Sequence, residues 1–443
     1  MIRYFMTVTL SYLFLCLPAS AQMQTNPPAT SAQTQAGTPL TLQEAEAISL
    51  KNNPQITIGK LRALEAWQYV REARSALLPT ASLNLTGVTT ENNTRITAGF
   101  LNNPSVFQRA AGGTTLSQLL TDFGRTTNLV SSSELQAKAE DQNAAATRAD
   151  IVLAVDQSFY SALETKALVQ VAQSTVETRQ ALVERVQALT RAKLKSDLDL
   201  SFAQVDLARA KLLLLEAENN YQASLAGLSA ILGYPDEQSF EVTEEAQAIA
   251  PPVSDVQPLI LQALQQRPEI AALQFEVQSA AKNASAEHDL WRPTISALGV
   301  AGVTPVRDDR ILTSWYGAVG VNVNIPIFNG FLFNARAKAA DLQTKVNRQK
   351  LLDMRNNVAR DVRIAWQDTN RAYQRLSVTQ QMLEQANLAM SLGQQRYNLG
   401  LGSIVELSQA ELGKAEADIA DTDAKYQYHL TQIVLAFTMA KSK

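Results

Sequence analysis

The chain has 443 residues, with 39 Lys and Arg against 42 Asp and Glu and a net charge of −3. That near-balance, without any basic run, excludes an electrostatic footprint for nucleic acid. One cysteine and two distant histidines, His288 and His429, exclude a disulfide framework, and the absence of HExxH spacing, a phosphate loop or a triad signature leaves no enzymatic chemistry and no cofactor to expect.

Residues 1–21 read as a secretory signal. Arg3 supplies the positive charge, an apolar run extends to Leu17, and Ala19-Ser20-Ala21 gives a small-x-small cleavage pattern. The run is shorter than the ~20 apolar residues of a spanning helix. Cys16 lies inside it, and Leu13-Phe14-Leu15 lacks the small residue that precedes a lipidated cysteine. The mature chain is therefore expected to carry no thiol, disulfide or acyl anchor. Residues 22–40, rich in Gln, Thr, Pro, Ala and Ser, predict a flexible leader. No later run is long and apolar enough to span a bilayer as a helix.

The rest is written twice. Asn53-Pro54-Gln55-Ile56 returns as Arg267-Pro268-Glu269-Ile270, and Leu78-Pro79-Thr80 as Arg292-Pro293-Thr294, both at an offset of 214 (268 − 54 and 293 − 79). Two structural repeats are expected, over 41–232 and 257–443, with a linker at 233–256.

Each repeat opens on a pair of alternating runs. Strands are predicted at about 79–89 and 113–122, then at about 293–303 and 315–328. The last is the clearest, with Val319, Val321, Val323 and Ile325 alternating with Gly320, Asn322, Asn324 and Pro326. Polar loops join each pair, at about 90–111 and 304–313. Trp291, Trp315, Tyr316, Phe328, Phe331 and Phe333 gather near strand ends, as in the interfacial girdles of a membrane barrel. Four strands leave open edges and cannot sit alone in lipid, so closure needs other chains.

Each repeat then continues as a ladder without breakers. Residues 125–226 and 331–392 contain neither Gly nor Pro. Val155, Ala162, Val169, Val176 and Val183 recur every seventh position, as do Val362, Thr369, Leu376, Leu383 and Met390, shifted by 207 (362 − 155). Such heptads indicate helix packed along helix over many turns. Helices are expected at about 123–193, 197–232, 330–399 and 403–440. The interruptions are Lys193-Leu194-Lys195-Ser196 and Gly400-Leu401-Gly402-Ser403, and Ser-x-x-acid follows each, with Asp199 and Glu406 as the acids. That pattern predicts a tight reversal and a capping box restarting each returning helix.

Taken together, these pieces resemble the TolC-like outer-membrane efflux family over about residues 40–440. The prolines of both halves carry the likeness. So do Ile325-Pro326-Ile327-Phe328-Asn329-Gly330 before the second ladder and Arg396-Tyr397-Asn398-Leu399-Gly400-Leu401-Gly402-Ser403 at its end. The resemblance implies a mainly α chain with a membrane β-barrel part. It implies a homotrimer in the outer membrane of a Gram-negative envelope, pooling four strands per chain into a twelve-stranded barrel in lipid. Long helical hairpins would form a periplasmic α-barrel, with an equatorial domain drawing on 233–256. A periplasmic adaptor protein and an inner-membrane transporter are the implied partners in tripartite efflux. A type I protein-secretion channel shares the architecture, and a soluble periplasmic coiled-coil scaffold is a remoter reading.

Carried over position by position, the periplasmic aperture falls on Asp199 and Glu406. A further acidic position is Gln409 here, and a basic residue that helps hold the aperture shut in some members is Gly402. Adaptor docking is expected at Leu194, Ser196, Gly400, Leu401, Gly402 and Ser403. Leu194 and Leu401 are apolar residues at exposed tips, which suggests docking. The plainer role of Asp199 and Glu406 is capping, because an acid near a helix N-terminus is stabilised by the dipole.

Overall fold

The structure is a computed structural model that describes residues 38–89, 109–236, 238, 240–243, 249–306 and 313–441. The expected signal sequence, Cys16, most of the leader and much of the two inter-strand loops lie outside the described residues.

Among them, helix dominates. Helix α1 (Leu42–Asn52) starts on a reciprocal capping box between Thr41 and Glu44. It stops at Asn53, which precedes a proline and is held extended at φ −66, ψ 123. Asn53 then caps α2 (Pro54–Ser75), accepting from the Gln55 N–H at 2.9 Å and donating to the Ile231 carbonyl at 2.8 Å. Its counterpart Arg267 takes nearly the same backbone between α5 (Gln257–Gln266) and α6 (Pro268–His288).

The two ladders form α3 (Arg125–Arg191) and α7 (Leu332–Asn398), each of 67 residues. At 1.5 Å per residue each measures ~100 Å. Each reverses into a helix of 35 residues, α4 (Asp197–Ile231) and α8 (Ile404–Thr438). The left-handed residues punctuating the two halves stand 207 apart: Phe123 and Gly330, Gly124 and Phe331, Lys193 and Gly400, Gly233 and Ala440. No described helix is long and apolar enough to cross a membrane.

The packing seams are rich in alanine, which lets long helices approach closely. Helix α3 lies against α2, α4, α6 and α8. The heptad line is fully buried near the middle, at Val155, Ala162, Val362 and Thr369. It is half-buried at Val176, Leu376 and Leu383, toward the reversals. Among the described residues a small cluster of Ala66, Val70 and Ala137 joins α2 to α3, and three larger ones hold the bundle. One centres on Val155, Phe159, Leu225 and Leu228, one on Val358, Val362, Ile260 and Leu435, and one on Val183, Val186, Ile404 and Leu407 near the reversals.

The leader ends earlier than its composition suggests. Strand β1 (Thr38–Leu40) pairs in parallel with β4 (Phe240–Val242). Leu40 and Val242 are both buried in the first cluster, so their burial fixes a segment that reads as featureless. Pro39 is tolerated because a two-stranded sheet has only edge strands. The linker beyond β4 also packs. Trp366 Nε1 donates to the Val253 carbonyl at 2.8 Å, and the Tyr428 hydroxyl donates to the Ala250 carbonyl.

Strands β2 (Thr80–Val88), β3 (Arg109–Thr121), β5 (Thr294–Val306) and β6 (Trp315–Asn324) form one antiparallel sheet in the order β2-β3-β5-β6. The fourth strand stops short of the expected residue 328, because Pro326 cannot donate to a ladder. Register separates the faces. Leu83, Thr114, Ala301 and Gly317 lie in one row, and Ala81, Leu116, Gly299 and Val319 in the next. Val321 and Val323 continue this aliphatic face. Ser82, Asn84, Thr115 and Asn322 lie on the other, where Asn84 donates to Thr115 Oγ1 at 3.3 Å. Tyr316 lies across Gly113 and Gly302, where an added Cβ would meet its hydroxyl at 2.2 and 2.5 Å.

Candidate functional site at the helical reversals

The two reversals share one backbone solution. At the first, the Leu194 N–H reaches back to the Leu189 carbonyl at 2.9 Å and the Lys193 N–H to Thr190 at 2.9 Å. At the second, the Leu401 N–H reaches Arg396 at 2.8 Å and the Gly400 N–H reaches Tyr397 at 3.1 Å. This bonding satisfies the last helical carbonyls and needs a left-handed residue, supplied by Lys193 (φ 58) and Gly400 (φ 74). The apolar residue following such a turn usually packs back on the helix. Leu194 and Leu401 do not: they are 70 and 67 % exposed, beside exposed Leu198, Leu399 and Val405.

The two returning helices start differently, which corrects the expectation of matched capping boxes. Ser196 accepts from the Asp199 N–H at 3.1 Å, and the Asp199 carboxylate accepts from the Ser196 N–H at 3.2 Å, a complete box. Ser403 likewise accepts from the Glu406 N–H at 3.2 Å, but the Glu406 carboxylate turns to Arg396, with Nε to Oε1 at 2.8 Å. Arg396 also donates to the Leu401 carbonyl at 3.2 Å. The pair packs closely against Gly402, where a Cβ would stand 3.1 Å from Glu406 Oε2 and 3.3 Å from Arg396 Cβ. Gly402 has an ordinary negative φ, whereas Gly400 supplies the left-handed turn.

The structure does not join Asp199 to Glu406 by any hydrogen bond or ion pair among the described residues. Gln409 is exposed and lines a groove of about 330 Å³ between α4 and α8, together with Phe202, Asp206 and Val405. At the floor of that groove Arg179 of α3 is buried. It pairs with buried Glu411 of α8 and lies 3.6 Å from Asp206 of α4. Burial pushes the Glu411 carboxyl above its ordinary range, and the Arg179 charge opposes that shift.

Further contacts tie the tips together. Lys195 Nζ sits 4.4 Å from the Tyr397 ring centroid, and Arg185 donates to Asn398 Oδ1 at 3.2 Å. Tyr397 is buried with its hydroxyl unpartnered. Burial raises its pKa, the Asp199 charge adds to the rise, and Arg185 opposes it.

Sequence reasoning missed Arg179 and Glu411 altogether, and named Arg396 and Lys195 only as parts of the tip sequences, without their contacts. Arg179 carries a readable signal: it stands three residues after Val176 and four before Val183, a charged group on the apolar seam. Arg396 carries a weaker one. It faces Glu406 across the reversal, but only the folded turn brings the two within reach.

The family model described as "Outer membrane efflux protein" matches residues 47–234 and 259–440. The chain is 23 % identical over 400 residues to a probable outer membrane lipoprotein, SilC, of Salmonella typhimurium, covering 87 % of this chain and 83 % of that protein. It is 23 % identical over 401 residues to the outer membrane protein TolC of Vibrio cholerae, covering 87 % of each. Among solved structures, CusC superposes with a TM-score of 0.78 at 18 % identity, over 90 % of this chain and 91 % of that one.

Proposed function

The chain belongs to the outer membrane efflux protein family, and from that membership we propose that three copies form one passive conduit from the periplasm to the exterior. Its relatives are outer-membrane efflux channels, not enzymes. The observation that carries the trimeric reading is strand β6. All ten of its residues are exposed, with Val319 at 92 %, and its outer edge pairs with no strand among the described residues. A sheet with two open edges and an uncovered aliphatic face is stable in lipid only when closed, and every backbone group must then find a partner. Three sheets of four strands close as twelve, leaving a lumen wider than an eight-stranded barrel allows.

On this reading the helical hairpins carry the conduit into the periplasm. The exposed leucines at their tips meet an adaptor protein, and an inner-membrane transporter drives the flux. Efflux is favoured over type I secretion by the name of the matching family. Asp199 and Glu406 lie one residue group back from the tips, so three chains would ring the aperture with six carboxylates. Such a ring favours cations and repels anions.

Two measurements test this. Protein extracted from outer membranes should migrate as a heat-resistant trimer and conduct across planar bilayers; a soluble monomer that does not conduct would overturn the channel. In the same bilayers, Asp199→Ala with Glu406→Ala should lose cation preference. Unchanged selectivity would leave both acids as a cap and an ion-pair partner only. An adaptor-docking role for Leu194 and Leu401 predicts that changing both to Asp abolishes export while the trimer persists.

A further inference from the structure

Among the described residues of the four-stranded sheet, Gly113 alone is buried; every other position is exposed or half-buried. Glycine has no side chain to tuck away, so a neighbour covers it. The register shows which one. Asn84, Gly113, Gly302 and Tyr316 stand opposite one another across β2, β3, β5 and β6. The Tyr316 side chain starts on β6 and lies down over the glycines of the two inner strands, where a Cβ on either would overlap its hydroxyl. Neither glycine has a positive φ, so backbone conformation does not call for them. Glycine inside a strand weakens it and marks a place where another group approaches closely. Here two adjacent glycines leave a slot in the sheet surface, and the tyrosine ring fills it. Gly320, on the same face, has nothing within 4 Å of an added Cβ.

The slot lies on the polar face. Ser82, Thr115, Val300 and Ala318 form the next row toward the helices. Tyr316 is the only ring on that face among the described strand residues, since Trp315 falls in the aliphatic row of Leu85, Gly112 and Val303. It is the second residue of β6, at the end of the sheet away from the helices. Resting on the trimeric reading above, we propose that Tyr316 sets the width of the channel at this outer level, and that the Gly113–Gly302 slot keeps it open by stowing one ring per chain against the wall. Side chains on a strand ordinarily stand away from the sheet. Without the slot, three rings would point into one cross-section of the lumen. The glycines act through the ring and are positioning residues. Neither the tyrosine row nor the row beneath it carries a charge, so selection at this level is by solute size, unlike selection by the acids near the reversals.

Polyethylene glycols of graded size, added on the barrel side of a planar bilayer, read this width, because a polymer that enters the lumen lowers the potassium current. Gly113→Ala is the informative variant. Its Cβ meets the ring first, and the nearest backbone atom, the Ala301 carbonyl oxygen, stands at 3.1 Å. Gly302 is left unchanged, since a Cβ there also meets the Gly112 carbonyl oxygen at 2.5 Å. Gly113→Ala is expected to exclude polymers that enter the native channel, and Gly113→Ala with Tyr316→Ala to admit them again. Tyr316→Trp, whose larger ring overfills the slot, is expected to exclude them with both glycines in place. A native size limit in Tyr316→Trp would overturn the proposal, whether or not Gly113→Ala assembles as a heat-resistant trimer. A Gly113→Ala limit that removal of the ring does not restore would overturn it as well. A native protein that gives no current would overturn the conduit and the proposal together, whereas a conducting native channel with unmoved limits in the variants would overturn the proposal alone.

Discussion

Lys193 and Gly400 hold the same left-handed turn at φ 58 and 74, and only one of them is glycine. A side chain in that region costs about 1–2 kcal/mol, so the first reversal carries strain that the second lacks. Lys193→Gly is expected to tighten the first reversal by about 1 kcal/mol, less whatever entropy the new glycine adds to the unfolded chain. Gly400→Ala should loosen the second by about the same amount. Hydrogen exchange at the Leu194 and Leu401 amides reads both, because each closes its turn; slower exchange at Leu194 and faster at Leu401 is the expected pair of results. Glu164 carries a different residue-scale consequence. Burial first, then a hydrogen bond with Asp423 and that group's charge, raises its carboxyl from 4.5 to about 7, while Arg375 opposes the rise. Arg375 Nη2 stands 2.5 Å from Asp423 Oδ2, whereas the nearby Arg371 and Lys425 are committed to Asp368 and Asp421. Between pH 4.5 and about 7 the folded state holds a proton that the unfolded state has released. Stability therefore falls as pH rises through that window and is flat on either side as far as this group is concerned. Glu164→Gln should flatten the slope in unfolding midpoints measured across the window.

At the scale of elements, one ion pair decides how the hairpins meet. Arg179→Ala leaves the Glu411 carboxylate buried without its partner, at a cost of about 3–5 kcal/mol. Replacing both, Arg179→Met with Glu411→Leu, should recover most of that loss, since a well-packed apolar pair avoids desolvation altogether. Urea unfolding of the three proteins distinguishes the outcomes, and an Arg179→Ala protein as stable as its parent would mean water reaches the groove floor. This pair also marks the limit of what the sequence discloses. Helices α3, α4, α7 and α8 are legible to within a few residues because long stretches free of Gly and Pro, heptads and Ser-x-x-acid starts act locally. Strand β1 is not, because Leu40 is ordered largely by distant residues of one core, Val155, Phe159, Leu228 and Val242 among them. The Arg396–Glu406 pair is hidden for a similar reason: only the folded reversal brings the two side chains together, beside a Gly402 that the pattern Gly-x-Gly presents as turn chemistry alone. Asp199 and Glu406 occupy equal positions in the repeat and hold different partners, and no single-residue rule separates them.

At the scale of the whole molecule, the sheet and the helices impose opposite demands on the same chain. The helical part buries alanine seams, with the Arg179–Glu411 pair set among them, while the sheet exposes aliphatic side chains. The two regimes meet where β3 and β6 lead into α3 and α7. There Phe123 and Phe331 take left-handed backbone and stay exposed, with Trp291, Ile327 and Phe328 beside them. Left-handed phenylalanine is costly, and glycine occupies the counterpart of each. An aromatic belt at this level fits the boundary between lipid and periplasm. The register of β6 then makes a one-residue distinction. Val321 belongs to the aliphatic face and Asn322 to the polar one, although both are exposed in the single chain. If the aliphatic face meets lipid, Val321→Arg places a charge in hydrocarbon at about 2–4 kcal/mol per chain, repeated three times around the barrel. Asn322→Arg places the same charge in the lumen, where water solvates it and the cost nearly vanishes. Outer-membrane fractionation should therefore recover the Asn322→Arg protein as a heat-resistant trimer and lose the Val321→Arg protein from the membrane. Should both insert equally, the sheet does not face lipid on its valine side, and a β6 exposed on both faces would have to be covered by protein instead.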